Sequence, residues 1–283
     1  NLALLIALTI RNRPVIAWGV RSSGLDLTQY GSKVKWTMLL EKLLSRFADK
    51  IITNSKAAFQ EYRKAGYPYF KLRHVPNAID IERFKPRPKA RNSIRNQLGV
   101  PVEAPLIGLF ARIHPMKDHM TFLHAIKILI DAKPDVRFIC AGGAHDEHST
   151  LETSLKLCAN NLGLENHILW LGSRKDPEKL MSACDITTLT SDNGEGFPNA
   201  VAESMACGVP CVVTDIGDAS NIVADFAEVV PPNNPQALAI GWESALDKGQ
   251  IKRSHRSIQI RQSIVDRFSS HAIAKRNLDI LLN

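Results

Sequence analysis

From Val100 onward, short apolar runs alternate with stretches whose apolar residues recur every three or four positions. The runs predict strands at 105–111, 136–141, 167–171, 186–190, 210–214 and 228–230. The intervening stretches predict helices at 118–132, 149–162 and 176–182, a helix opening near Pro198, and helices at 235–248 and 252–267. Helical connectors between nearly all neighbouring strands favour a parallel sheet, because parallel strands need crossovers rather than hairpins. The earlier part carries a shorter version of the same pattern, with strands at 14–19, 50–54 and 72–75. Between the first two, 35–48 reads as an amphipathic helix with Trp36, Leu39, Leu40, Leu43, Leu44 and Phe47 on its apolar side. A proline-studded basic stretch at 84–91 is the best linker candidate. Two α/β domains result, each a doubly wound parallel sheet, the first incomplete.

Composition adds boundaries to this picture. The chain has 283 residues, 45% of them apolar, and no run of transmembrane length. Leu2 to Leu8 form an apolar opening that reads as a buried helix or its tail. It lacks the charged start and small-residue cleavage site of a signal peptide, so the sequence reads as a fragment beginning inside a domain. Cys140, Cys158, Cys184, Cys207 and Cys211 lie in apolar stretches without a Cys-x-x-Cys pair, which suits buried thiols in a reducing compartment. His145 and His148 lack an evident third ligand and read as a solvated loop. The expected location is cytoplasmic.

Charge is unevenly spread. Residues 1–99 hold 19 Lys and Arg against 6 acids, a net +13, whereas the remainder is at −5. Such asymmetry fits an anionic partner, either an anionic membrane surface at its inner face or a phosphorylated acceptor, or simply solvated basic helix faces. Nucleic acid is not expected, since no recognised binding motif accompanies the charge.

The chemistry collects where ligands bind in such sheets, beyond the carboxyl ends of the strands. Arg112, His114 and Lys117 follow the first predicted strand of the second domain, Gly142-Gly143 the next, and Gly172-Ser173-Arg174 the third. The loop with Glu195 and the segment Asp215-Ile216-Gly217-Asp218 follow two more. Arg112 and Lys117 suit a diphosphate, one as a fork and one as a point charge, though each alone also reads as a surface cation. A helix opening near Pro198 offers free backbone amides. Glu203 on that helix suits ribose hydroxyls, and Glu195 suits the hydroxyls of a sugar, because an ionised carboxylate accepts two at once. Each also has a plain reading, as a helix-terminal acid or a loop acid. His114 is either catalytic or structural. Anion beside polyol describes a nucleotide sugar.

Glu195-Gly196-Phe197-Pro198-Asn199, followed by Glu203-Ser204-Met205-Ala206-Cys207-Gly208-Val209-Pro210, resembles the signature of glycosyltransferase family 4, retaining enzymes of the GT-B fold. Val75 to Pro86 resembles the run into that family's interdomain linker, and Leu109 to Arg112 with Lys117-Asp118 its phosphate-binding segment. Ala78, Ala111 and Asp118 stand where the family pattern has glycine. The resemblance implies two Rossmann-like domains: 1–88 on the acceptor side, a linker region at 89–99, a donor domain at 100–265, and a C-terminal helix at 266–283 packing back toward the first.

It further implies Glu195, Arg112 and Lys117 as catalytic groups. Gly172, Arg174, Gly196, Phe197, Pro198 and Glu203 join them in holding the donor, with no cofactor and no metal. The family's glycine-rich first-domain loop is absent. Val20-Arg21-Ser22-Ser23-Gly24 stands where many members carry a histidine, and Arg21 is either a replacement contact or a surface residue. The implied reaction moves a sugar from a nucleoside diphosphate sugar to a glycan or lipid-linked acceptor with retention, in cell-surface polysaccharide synthesis. A nucleotide-sugar epimerase of the same fold and a non-catalytic nucleotide-binding fragment are the alternatives. A dehydrogenase is disfavoured, as no Gly-x-Gly-x-x-Gly follows a predicted strand.

Overall fold

The computed structural model describes residues 15–20, 32–145, 148–251 and 253–282, in which two sheets form, parallel throughout. The apolar opening and the segment from Arg21 to Gly24 lie outside the described residues. Among the described residues no helix is long and apolar enough to cross a membrane.

The smaller sheet has the order β1 (Ala17–Val20), β2 (Lys50–Thr53), β3 (Leu72–His74). Helix α1 (Ser32–Leu44) precedes β2, and α2 (Lys56–Lys64) follows it. Ala48, Ile51, Ala58, Tyr62, Tyr67 and Leu72 make its core. The apolar side read for helix 35–48 does not join that core: Leu39, Leu40, Leu43 and Phe47 are about half exposed and Trp36 is 70% exposed. Helix α2 was not legible in the hydrophobic pattern, because Ala58 and Tyr62 are its only buried residues.

The larger sheet has six strands. They are β4 (Leu106–Phe110), β5 (Arg137–Ala141), β6 (Ile168–Gly172), β7 (Ile186–Leu189), β8 (Cys211–Thr214) and β9 (Glu228–Val230). Their spatial order is β6-β5-β4-β7-β8-β9. The chain therefore winds outward from β4 in one direction, returns, and winds outward in the other, creating a switch point between β4 and β7 where ligands bind in such folds. One face is covered by α4 (His119–Ala132), α5 (Ser149–Asn161) and α9 (Pro235–Ile251), which share a core with Trp242, Phe122 and Phe138 at its centre. These three rings meet at centroid distances of 5.5 to 5.9 Å in edge or tilted arrangements, favourable for ring quadrupoles.

The other face is covered by α6 (Pro177–Ala183), α7 (Asn199–Ala206), α8 (Ala219–Val223) and α10 (Arg253–Phe268). The stretch read as a linker, 84–91, runs directly into another helix on this face, α3 (Pro88–Gln97), with proline in its first turn, where no amide is needed. Its anchor is Arg95, which is completely buried. The guanidinium donates to the carbonyls of Ala183, Pro101, Val102 and Ala104 at 2.7 to 3.0 Å, and to Asp185 Oδ2 at 2.7 Å. Arg91 takes the other Asp185 oxygen at 2.7 Å, and the Leu106 amide donates to Oδ2 at 2.8 Å. Asp185 thus ties α3 to the first residue of β4.

The chain between the sheets is pinned by α10. Arg261 donates to the carbonyls of Ile81, Phe84 and Ala206 at 2.7 to 3.0 Å, and the Ile79 amide donates to Phe268 C=O at 2.8 Å. Helix α11 (Ser270–Leu282) follows, with Ile273 buried in the same cluster as Val75 and Ile79.

Candidate active site

Every strand of the larger sheet points its carboxyl end toward one edge, and the loops there are bonded to one another. The Ile113 amide donates to Gly143 C=O, Gly142 to Gly172, Asp192 to Met116 and Asp218 to Gly196, all at 2.8 to 3.1 Å. Two glycines permit this. A Cβ on Gly142 would lie 1.9 Å from Ala111 O, and one on Gly217 would lie 2.4 Å from Glu195 O. Both also have positive φ, 150° and 61°, which side-chain-bearing residues avoid.

At the switch point the ammonium of Lys117, closing the turn Pro115–Lys117, contacts Glu195 Oε1. Glu195 is 7% exposed. A carboxylate so far from water needs a charged partner and hydrogen bonds. Ser191 Oγ supplies one of these bonds to Oε1 at 2.6 Å. The backbone is held as firmly: Thr190 Oγ1 donates to Lys117 C=O at 2.6 Å and Thr214 Oγ1 to Ser191 C=O at 2.7 Å. These hydroxyls escaped the sequence reading, although Thr190 and Ser191 directly follow β7.

Asp118, standing where the family pattern has glycine, is left-handed at φ 42° and accepts from the Thr121 amide at 3.0 Å. Aspartate tolerates this conformation and caps the helix that it begins. Next to it, His119 is 2% exposed, and neither ring nitrogen meets a hydrogen-bond partner among the described residues. Burial, and then the nearby Lys117, push its pKa from 6.5 down to about 4. The unfolded chain therefore binds this proton first as pH falls. The stability due to neutral His119 is complete above pH 6.5 and is lost as pH drops toward 4. Measured by urea unfolding, wild type is expected to lose about 2 kcal/mol more unfolding free energy between pH 7 and pH 5 than His119→Leu does. Equal losses in the two proteins would remove the assignment.

The other sequence candidates occupy different surroundings. Arg112 is exposed at the start of its loop. Arg174 forks onto Asp176 at 2.9 and 3.0 Å, so its charge is already matched. Gly172 accepts the Gly142 amide through its carbonyl. Gly196 and Pro198 are buried, and the Phe197 ring belongs to the core, packing edgewise on Phe268 at 5.2 Å. Glu203 on α7 is partly buried; burial raises its carboxyl pKa, and the Arg83 guanidinium partly offsets this. His114 Nδ1 accepts from the Met116 amide at 3.2 Å, and its ring meets His148 edge to face at 4.7 Å. That packing corrects the solvated-loop reading for His148.

Cys140, Cys184, Cys207 and Cys211 are buried, with thiol pKa values raised by burial to about 12, whereas Cys158 is partly exposed. Among the described residues no three His, Cys, Asp or Glu side chains are grouped to hold a metal ion. A cavity of about 500 Å³ opens at the opposite edge of the large sheet, bordered by Pro105, Asp185, Pro210 and Arg256, and contains neither Lys117 nor Glu195.

Known proteins resemble this chain in sequence and in fold. D-inositol 3-phosphate glycosyltransferase of Corynebacterium urealyticum is 32% identical over 214 residues, 72% of this chain and 48% of that protein. Lipopolysaccharide core biosynthesis mannosyltransferase LpsB of Rhizobium meliloti is 30% identical over 187 residues, 66% of this chain and 51% of that protein. The chain thus spans about half the length of these relatives. Anabaena HepE, crystallised with UDP and glucose, superposes with a TM-score of 0.85 at 27% identity, covering 99% of this chain and 75% of HepE. The two parallel sheets are those of the GT-B fold. Residues 90–263 match the family described as glycosyl transferases group 1. The chain belongs to that family.

Proposed function

We propose that the protein is a retaining glycosyltransferase, moving a sugar from a nucleoside diphosphate sugar onto a glycan or lipid-linked acceptor in cell-surface polysaccharide synthesis. The observation that carries this reading is the Lys117 ammonium against the buried Glu195 carboxylate at the switch point. In the unliganded state each neutralises the other. A diphosphate entering beside Arg112 draws the ammonium to itself, and Glu195, still bonded to Ser191, becomes an acceptor for sugar hydroxyls. The leaving diphosphate gains charge as the glycosidic bond breaks, and fixed cations in a partly dry site stabilise that charge. The amino end of α4 adds to the same field. Arg112 and Lys117 perform this task without a divalent metal.

In this reading Glu203 takes the ribose and Gly172 and Arg174 border the base. Gly196, Phe197 and Pro198 present backbone to the sugar and phosphate. HepE with UDP and glucose, and relatives that act on inositol phosphate and lipopolysaccharide core, support the donor and acceptor classes. Retention rests on the family 4 signature and is checked by the anomeric proton signals of donor and product.

Calorimetric titration with UDP, GDP and ADP tests the site. Wild type is expected to bind at least one of them, with Arg112→Ala and Glu203→Ala each weakening it by about tenfold or more, or 1.4 kcal/mol. Unchanged affinity in both variants sinks the assignment. Donor incubated alone, if interconverted to a second nucleotide sugar, marks an epimerase instead.

A further inference from the structure

A contact between the two sheets is not explained by donor binding. The first amides of a helix have no partner inside it. In α2 the Ala58 amide is satisfied by Ser55 Oγ and the Phe59 amide by Ser55 C=O, both at 3.0 Å. The amides of Lys56 and Ala57 donate instead to Asp218, at 2.8 Å to Oδ2 and 3.0 Å to Oδ1. One carboxylate from the loop between β8 and α8 thus completes a helix that belongs to the smaller sheet. Asp218 is 3% exposed, and its own amide donates to Gly196 C=O at 2.9 Å, beside Glu195.

Further polar groups line the same junction. Lys56 Nζ donates to Asn221 Oδ1 at 3.2 Å, and His74 Nε2 lies 3.8 Å from Asp218 Oδ2. Asn77 Nδ2 donates to Asn199 Oδ1 at 2.9 Å, at the first residue of α7. Asp218 is therefore bonded on one side to the loop carrying Glu195 and on the other to the amino end of α2.

We propose that Asp218 is a positioning residue for glycosyl transfer, a latch that fixes the smaller sheet over the donor loop. Its role in transfer rests on the donor-site reading; its role as a latch does not. A carboxylate on two amides at a helix amino end makes charge-assisted hydrogen bonds and also meets the favourable end of the helix dipole. When the units part, water solvates both sides, so the contact is reversible. The cations assigned to the diphosphate lie on the larger sheet's loops, so releasing the latch leaves nucleotide affinity in place and removes the geometry in which an acceptor meets the sugar.

Amide hydrogen exchange and turnover of the intact protein test this. Asp218→Ala removes the carboxylate; Asp218→Asn keeps its size and serves if the alanine variant fails to fold. Exchange at Lys56 and Ala57 is expected to quicken about tenfold or more in both variants, with β4, β7 and β8 unchanged. Wild-type exchange in a folded variant overturns the latch. For Asp218→Asn, kcat is expected to fall about tenfold or more, while affinity for the nucleoside diphosphate changes less than about threefold. Quickened exchange with unchanged kcat overturns the positioning role, and a parallel loss of diphosphate affinity places Asp218 in the donor pocket instead. If wild type binds none of UDP, GDP and ADP, the donor reading fails, and exchange at Lys56 and Ala57 still decides the latch.

Discussion

Lys117→Met is expected to lower kcat for glycosyl transfer by about 100- to 1,000-fold, the range typical of losing one preorganised stabiliser of transition-state charge. Two effects combine in this variant. In the proposed reaction the developing diphosphate loses one of its two assigned cations, and Glu195, 7% exposed, loses its ammonium contact while the Ser191 hydroxyl stays bonded to it. The second effect also lowers stability, because one member of a buried pair is left charged without its counter-ion. Pairing the substitution with Glu195→Gln separates them. The double variant is expected to recover the urea midpoint lost by Lys117→Met, since no buried charge remains, yet to stay inactive. Turnover of Lys117→Met within about threefold of wild type would show that this ammonium takes no part in the chemistry.

Arg95→Ala is expected to cost about 3–5 kcal/mol of unfolding free energy, among the largest effects of a single substitution in this chain. The guanidinium is completely buried and serves four carbonyls and one carboxylate. Burial, followed by repulsion from Arg91, lowers its pKa to about 10, which leaves it charged at neutral pH. Without it, Asp185 retains Arg91 and the Leu106 amide, but the carbonyls of Pro101, Val102 and Ala104 face a cavity. Lysine does not substitute well, because a single ammonium cannot spread over acceptors arranged around a planar fork. Urea unfolding followed by far-UV circular dichroism measures the loss. A change below about 1 kcal/mol would mean that water replaces the guanidinium at little cost.

The six strands of the larger sheet were legible because both of its faces are covered, so each strand reads as a nearly unbroken apolar run. Their observed ends differ from the expected ones by no more than one residue, and β9 coincides. Helix α3 was read as linker for a physical reason: its buried residues are Ile94 and Arg95, and a docking arginine looks like a surface charge to any hydrophobic reading. Lys117 and Glu195 were each visible, with separate roles. Their contact was not, since they are 78 positions apart and meet only because β4 and β7 are neighbours. Arg174 shows the reverse limit, its charge being matched two residues away by Asp176.

The crossing segment also defines what would travel together in a chimera. A piece excised at the family match, residues 90–263, would leave behind the carbonyls of Ile81 and Phe84 that Arg261 binds, and would lack the Ile79–Phe268 hydrogen bond. A graft joined before Ile79 and after Ser269 keeps them all. The exchangeable piece is therefore set by Arg261 and the Ile79–Phe268 hydrogen bond together rather than by the extent of sequence similarity.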